Sequence, residues 1–142
     1  MRTEHLQNVH LGWVAAGWLV AAAVTCAVFF VLTALGVIEP LASLPVGWSV
    51  VAVAIGFYVG GLFTGFNSLD APILHGIAVG IFTLVVWFVL NVLTVLFFPD
   101  AGWAALTPAM TTGLLLLQMV AAVAGAWTGH VIAQRGGPDL TG

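Results

Sequence analysis

Between Glu4 and Glu39 no residue carries a formal charge, and the pattern continues to Asp70, Asp100 and Arg135, at intervals of 35, 31, 30 and 35 positions. Each interval has room for one helix and a turn, because a hydrocarbon core of about 30 Å takes roughly 20 residues at about 1.5 Å rise apiece. Backbone in lipid must satisfy its own polar groups, which selects helices or closed barrels. The alternation of a lipid-facing barrel strand is absent. With 62% hydrophobic residues, 5% charged residues and a mean hydropathy of +1.19, the 142-residue chain lacks the polar surface of a water-soluble domain. The expected fold class is an all-α membrane protein with four transmembrane helices, over about 11–37, 48–66, 72–98 and 107–133.

The only basic residues, Arg2 and Arg135, fall outside the first and last spans and so on one side of the membrane. The positive-inside rule places both termini and the Asn67–Ala71 turn in the cytoplasm, with the Glu39 and Asp100 loops outside, in the cell inner (plasma) membrane. The first apolar run is longer than a signal-peptide core and shows no processing site, so it reads as a retained span. Cys26 is alone, which leaves no intrachain disulfide or cysteine metal cluster.

Small residues recur at helical spacing. Gly17, Ala21 and Thr25 form a strip in the first span; Gly56 with Gly60, and Gly61 with Gly65, form G-x-x-x-G pairs in the second. Such strips allow backbones to approach closely, which is how helices associate in lipid. Prolines 40 and 45 are expected to end the first helix and delay the second. The short Asn67–Pro72 turn makes spans 2 and 3 antiparallel neighbours, with Asp70 capping and Pro72 opening the third helix. Along that helix Gly76, Gly80, Thr83, Trp87, Asn91 and Thr94 share one face, expected to point into protein. In the fourth, Thr111, Gln118, Ala122, Gly125 and Gly129 form a stripe.

Self-similarity links the two halves. Val59-Gly-Gly-Leu-Phe-Thr-Gly65 aligns with Val123-Ala-Gly-Ala-Trp-Thr-Gly129 at an offset of 64, and His-Leu-Gly12 stands at the same offset from Leu-His-Gly76. Leu32-Thr-Ala-Leu matches Leu93-Thr-Val-Leu at an offset of 61. The expectation is one domain, 1–142, of two tandem helical hairpins, about 10–67 and 70–133, followed by a flexible tail, 134–142. Two spans per unit bring both copies in from the same side, related by a pseudo-two-fold axis along the membrane normal. The glycine strips of spans 2 and 4 would then face the centre of a four-helix bundle.

At Gly60-Gly61, Gly65 and Leu74-His75-Gly76 the chain resembles a loose group of small bacterial four-span membrane proteins that includes the YrzE type. Their pattern is a Gly-Gly-x-x-x-Gly helix end, a short cytoplasmic turn and a Leu-His-Gly helix start, and the resemblance covers about residues 56–90. Phe66 stands where a basic residue is common in the group. The resemblance implies a four-span fold and brings no established activity.

Reactive side chains are scarce. His10, His75 and His130 all fall near the cytoplasmic boundary, and His75 and His130 could face one another as ligands for haem, a chlorin or a metal. The plainer role is bonding to headgroups, water or a carbonyl, and no second ligand type stands at metal-site spacing on the same helix. No cofactor or metal is therefore expected. Asn91 and Gln118 are the intramembrane polar residues, which either pair across the bundle or line a polar route. No carboxylate, lysine or arginine falls within the expected spans, and no nucleophile–base pair or phosphate loop is present, so enzymatic chemistry is not expected. Two basic residues are too few to capture nucleic acid. The expected partners are the lipid bilayer and either further copies of the chain or a larger membrane complex. The function read from the sequence is that of a structural or accessory subunit; the alternative is a small oligomeric transporter or channel with a neutral polar path.

Overall fold

The computed structural model describes residues 9–38, 46–68, 71–97 and 108–135. Four helices make up these segments: α1, Leu11–Ala34; α2, Val46–Asn67; α3, Pro72–Phe97; and α4, Pro108–Arg135. Each is long and apolar enough to cross a membrane, and there is no strand among the described residues. Glu39, Asp70 and Asp100, the two prolines at 40 and 45, and the chain before Val9 and after Arg135 lie outside the described residues.

The helix ends follow local chemistry. Pro72 and Pro108 open α3 and α4 at the position where a missing N–H costs nothing. His10 precedes α1 with extended backbone, and its carbonyl accepts the Trp13 and Val14 N–H groups at 3.0 and 3.2 Å. At the other end of α1, Gly36 adopts φ +70°, its N–H donates to the Thr33 carbonyl, and the Val37 N–H reaches back to Leu32. That paired closure is the Schellman arrangement, in which a left-handed residue satisfies the last carbonyls. The helix thus ends at Ala34, three residues short of the expected 37, because a glycine stops it before either proline is reached. The last helix runs the other way past its expected end, to Arg135, so Gln134 and Arg135 are helical and not part of a tail. A cation in the last turn complements the negative end of the helix dipole.

Packing centres on α2. It lies antiparallel to α1 and parallel to α4, which in turn holds α3; α1 and α3 also touch. The short turn between α2 and α3 does bring them into contact, but α2 makes far more of its surface with α4 and α1. The core, built on Val14, Ala21, Phe57, Val79 and Ala122, runs from the middle of the helices toward the end where α1 and α3 begin. Toward the opposite end α3 parts from its neighbours. Gly76, Gly80 and Thr83 are buried, whereas Trp87, on the same face, is 42% exposed and Phe88 64%. The expectation that this whole face points into protein therefore fails beyond Thr83, since no described helix covers it there.

Candidate functional site

The most buried large side chain is an imidazole. His75 lies in the first turn of α3 with no exposed surface. Its Nε2 is 3.1 Å from the backbone nitrogen of His10, and its Nδ1 is 2.9 Å from the Ala71 carbonyl oxygen. A backbone N–H can only donate and a carbonyl can only accept. The ring is therefore neutral, with its proton on Nδ1 and its Nε2 lone pair engaged. Ser68 Oγ lies 3.1 Å from both ring nitrogens. One side chain thus ties together the start of α1, the end of α2 and the start of α3. Ala71, in this turn, has φ +55°, a left-handed conformation unusual for a residue with a β-carbon.

The two candidate ligand histidines, His75 and His130, have different neighbours. His75 stands beside His10, ring centroids 6.3 Å apart. His130 accepts a hydrogen bond on Nε2 from the Gln134 amide, at 2.8 Å, and lies against Trp127. In both rings Nε2 accepts a hydrogen bond, and His130 Nδ1 is buried with no partner among the described residues. Among the described residues no group of three or more His, Cys, Asp or Glu side chains could hold a metal ion.

The mid-helix amides do not pair with each other either. Asn91 Nδ2 donates to the Trp87 carbonyl one turn back in its own helix, at 2.8 Å. Among the described residues Gln118 Oε1 is buried without a hydrogen-bond partner, as is Trp18 Nε1, whose ring packs edge-on to Phe82. Cross-bundle bonding between Asn91 and Gln118 is thus replaced by a local bond at one and an unsatisfied acceptor at the other. Thr25, Thr64 and Thr83 each bond the carbonyl four residues earlier, so their hydroxyls are satisfied without leaving the helix.

Glycines occupy the helix contacts. A β-carbon on Gly56 or Gly60 would meet α1 at Ala21 and Thr25 or at Gly17 and Ala21. On the other side of α2, Gly61 faces the Ala122 carbonyl and Gly65 that of Ala126. From α4, Gly125 faces the Tyr58 carbonyl and Gly129 that of Leu62. Gly76 meets Val123, where a β-carbon would lie 2.6 Å from Cα, and Gly80 meets Met119. An outward groove of about 470 Å³ between α3 and α4, lined by Ile73, Ile77, Met119, Val123 and Trp127 among others, is wholly apolar.

No protein-family model, curated protein or solved structure matches the chain.

Proposed function

We propose that the chain is a multi-pass protein of the cell inner membrane, with both termini cytoplasmic, acting as a non-enzymatic structural or accessory subunit built on glycine-mediated helix packing. One observation carries the reading: the reciprocal contact between α2 and α4. Gly61 meets Ala122 and Gly125 meets Tyr58; adding 64 to the first residue of one pair and subtracting 64 from its partner yields the other. Gly65 with Ala126 and Gly129 with Leu62 obey the same rule. Contacts that exchange in this way are what a two-fold axis between parallel helices generates, and they support two tandem hairpins, about 10–67 and 70–133. The outer helices keep a different register. The Gly17–Gly60 contact would recur between Ile81 and Ala124, yet α4 meets α3 at Gly76 and Gly80.

The exterior supports the membrane setting. Phe30 at 76% exposure and Val120 at 67% are apolar groups that water would disfavour and acyl chains accept. All glycine seams are spent on holding the fold together, which leaves the outer surface for lipid and partners. The test is extraction and capture. The protein should stay in alkali-washed membranes, and cross-linking there should trap it in a complex. A monomer in mild detergent with no cross-linked partner in native membranes would end the subunit reading.

The alternative, a small oligomeric transporter or channel with a neutral polar path, draws on the unpaired Gln118 Oε1. Solute flux in liposomes that is unchanged by Gln118→Leu would remove it.

A further inference from the structure

Asn91 stands in the second half of α3, which among the described residues is more exposed than the first half. On the side of Asn91, Leu84 and Trp87 are 40% and 42% exposed, while Asn91 and Thr94 are half-buried. In hydrocarbon the apolar members of that surface require no cover. The amide does. It offers two N–H donors and an acceptor oxygen, and one donor is used, on the Trp87 carbonyl. Among the described residues the oxygen and the second N–H have no partner.

The headgroups do not supply one. Asn91 precedes the last residue of α3, Phe97, by six positions, about 9 Å along the axis at ~1.5 Å per residue. Side chains in a helix tilt toward its N-terminus, and the bond to Trp87, one turn back, shows that this one does. The carboxamide is therefore directed toward the bilayer middle, away from the nearer interface. A polar group held there is costly without a partner and becomes a point of attraction between helices when one is available.

Its neighbours on the helix form a seam. Leu84, Trp87, Asn91 and Thr94 follow the 3-4-3 spacing by which parallel helices mesh at a shallow left-handed crossing. Thr94, whose hydroxyl is satisfied by the Leu90 carbonyl at 2.8 Å, presents a small flank. A single asparagine in such a seam fixes partner and register, because it pairs best with an identical residue at the same height.

We infer that the Leu84–Trp87–Asn91–Thr94 stripe of α3 is the surface on which two copies of this chain meet, Asn91 to Asn91, about an axis along the membrane normal. This rests on the membrane reading proposed above. Two copies inserted alike hold Asn91 at one depth by symmetry, and each amide can then donate its spare N–H to the other's oxygen. A different protein would need an amide at that depth by coincidence.

The test uses the full chain in native membranes, with Cys26→Ser removing the exposed native thiol. Leu84→Cys and Thr94→Cys place a thiol on the stripe, and Val85→Cys and Val89→Cys place one on the far side of the same helix. A short thiol cross-linker should give a product of twice the chain mass from the first two and several-fold less from the others. Adding Asn91→Leu should lower that yield and weaken dimerisation in detergent about tenfold, with helical circular dichroism unchanged; Asn91→Gln should restore part of it. Equal yields from all four positions, none from the stripe, or a product of another mass would overturn the inference while the protein remains in alkali-washed membranes. Release of the protein by alkali would instead defeat the membrane reading.

Discussion

Gly61 and Ala122 meet backbone to backbone: a β-carbon on the glycine would run into the Ala122 carbonyl. Gly125 has the same relation to Tyr58. Neither obstacle is a flexible side-chain end that could move aside, so a larger residue at either position must push two helices apart.

Gly61→Leu and Gly125→Leu should each destabilise the fold by about 2–4 kcal/mol, the range of severe overpacking. Because their contacts are reciprocal, the two losses should be of similar size. Gly113→Leu is the control, since among the described residues nothing lies within 4 Å of a β-carbon there, and it should be neutral or stabilise by up to about 1 kcal/mol, because glycine is a poor helix former. Thermal unfolding in mild detergent, followed by helical circular dichroism, measures all three. A loss at Gly61 with none at Gly125 would break the equivalence of the two contacts.

His75→Phe keeps most of the ring's volume and removes both nitrogens. It leaves the His10 N–H and the Ala71 carbonyl without the partners they have now. The Ala71 carbonyl belongs to a buried residue and the His10 N–H to an exposed one, so with about 1–3 kcal/mol for a buried orphan a loss of about 1–3 kcal/mol is expected, together with faster proteolysis near His10 as the start of α1 comes loose. His75→Ala should be at least as damaging, because it adds a cavity. Wild-type stability in His75→Phe would show that the three-segment tie contributes nothing.

Two turn positions should respond in opposite directions to small changes. Gly36 has φ +70° and no described residue within 4 Å of a β-carbon, so Gly36→Ala meets backbone strain and should cost about 1 kcal/mol. Ala71 has φ +55°, so Ala71→Gly relieves strain of about 1 kcal/mol while giving up one buried methyl, for a net change between zero and about 1 kcal/mol of stabilisation. The shift in unfolding midpoint of each variant decides both.

What could be read from the residues alone follows from which signals are local. Four uncharged runs with Pro72 and Pro108 at helix starts locate the helices to within a few residues, because span length and proline geometry need no knowledge of neighbours. The end of α1 is not legible in the same way, since a lone Gly36 among apolar residues looks like any other glycine until its φ is known. The small strips at Gly17–Ala21 and Gly56–Gly65 mark surfaces suited to contact, yet nothing in their spacing says which helix comes to them. That is why the α2–α4 pairing, made between segments that are not consecutive, is suggested only by the internal repeat, which sets the glycine strips of spans 2 and 4 toward the bundle centre. His75 shows the same limit. Its position at a helix start was plain, but its bonds to His10 and Ser68 cross 65 and 7 positions of sequence, and no periodicity encodes them.

Gln118 offers the clearest division between a packing role and a transport role. Its Oε1 is buried and accepts no hydrogen bond from the described residues, which is an expense of about 1–3 kcal/mol for a polar atom removed from water. Leucine has nearly the same length and no polar atoms. If the residue only fills space between α4 and its neighbours, Gln118→Leu should raise stability by about 1 kcal/mol and leave every other property unchanged. If the oxygen serves a passing neutral solute, the same substitution should raise stability and reduce liposome uptake together, since a solute donor that was met halfway through the bilayer no longer finds its acceptor. Unfolding in detergent and flux in vesicles, measured on the same preparation, separate the outcomes: a stabilised protein with unchanged flux assigns Gln118 to packing, and a stabilised protein with flux lost assigns it to the path.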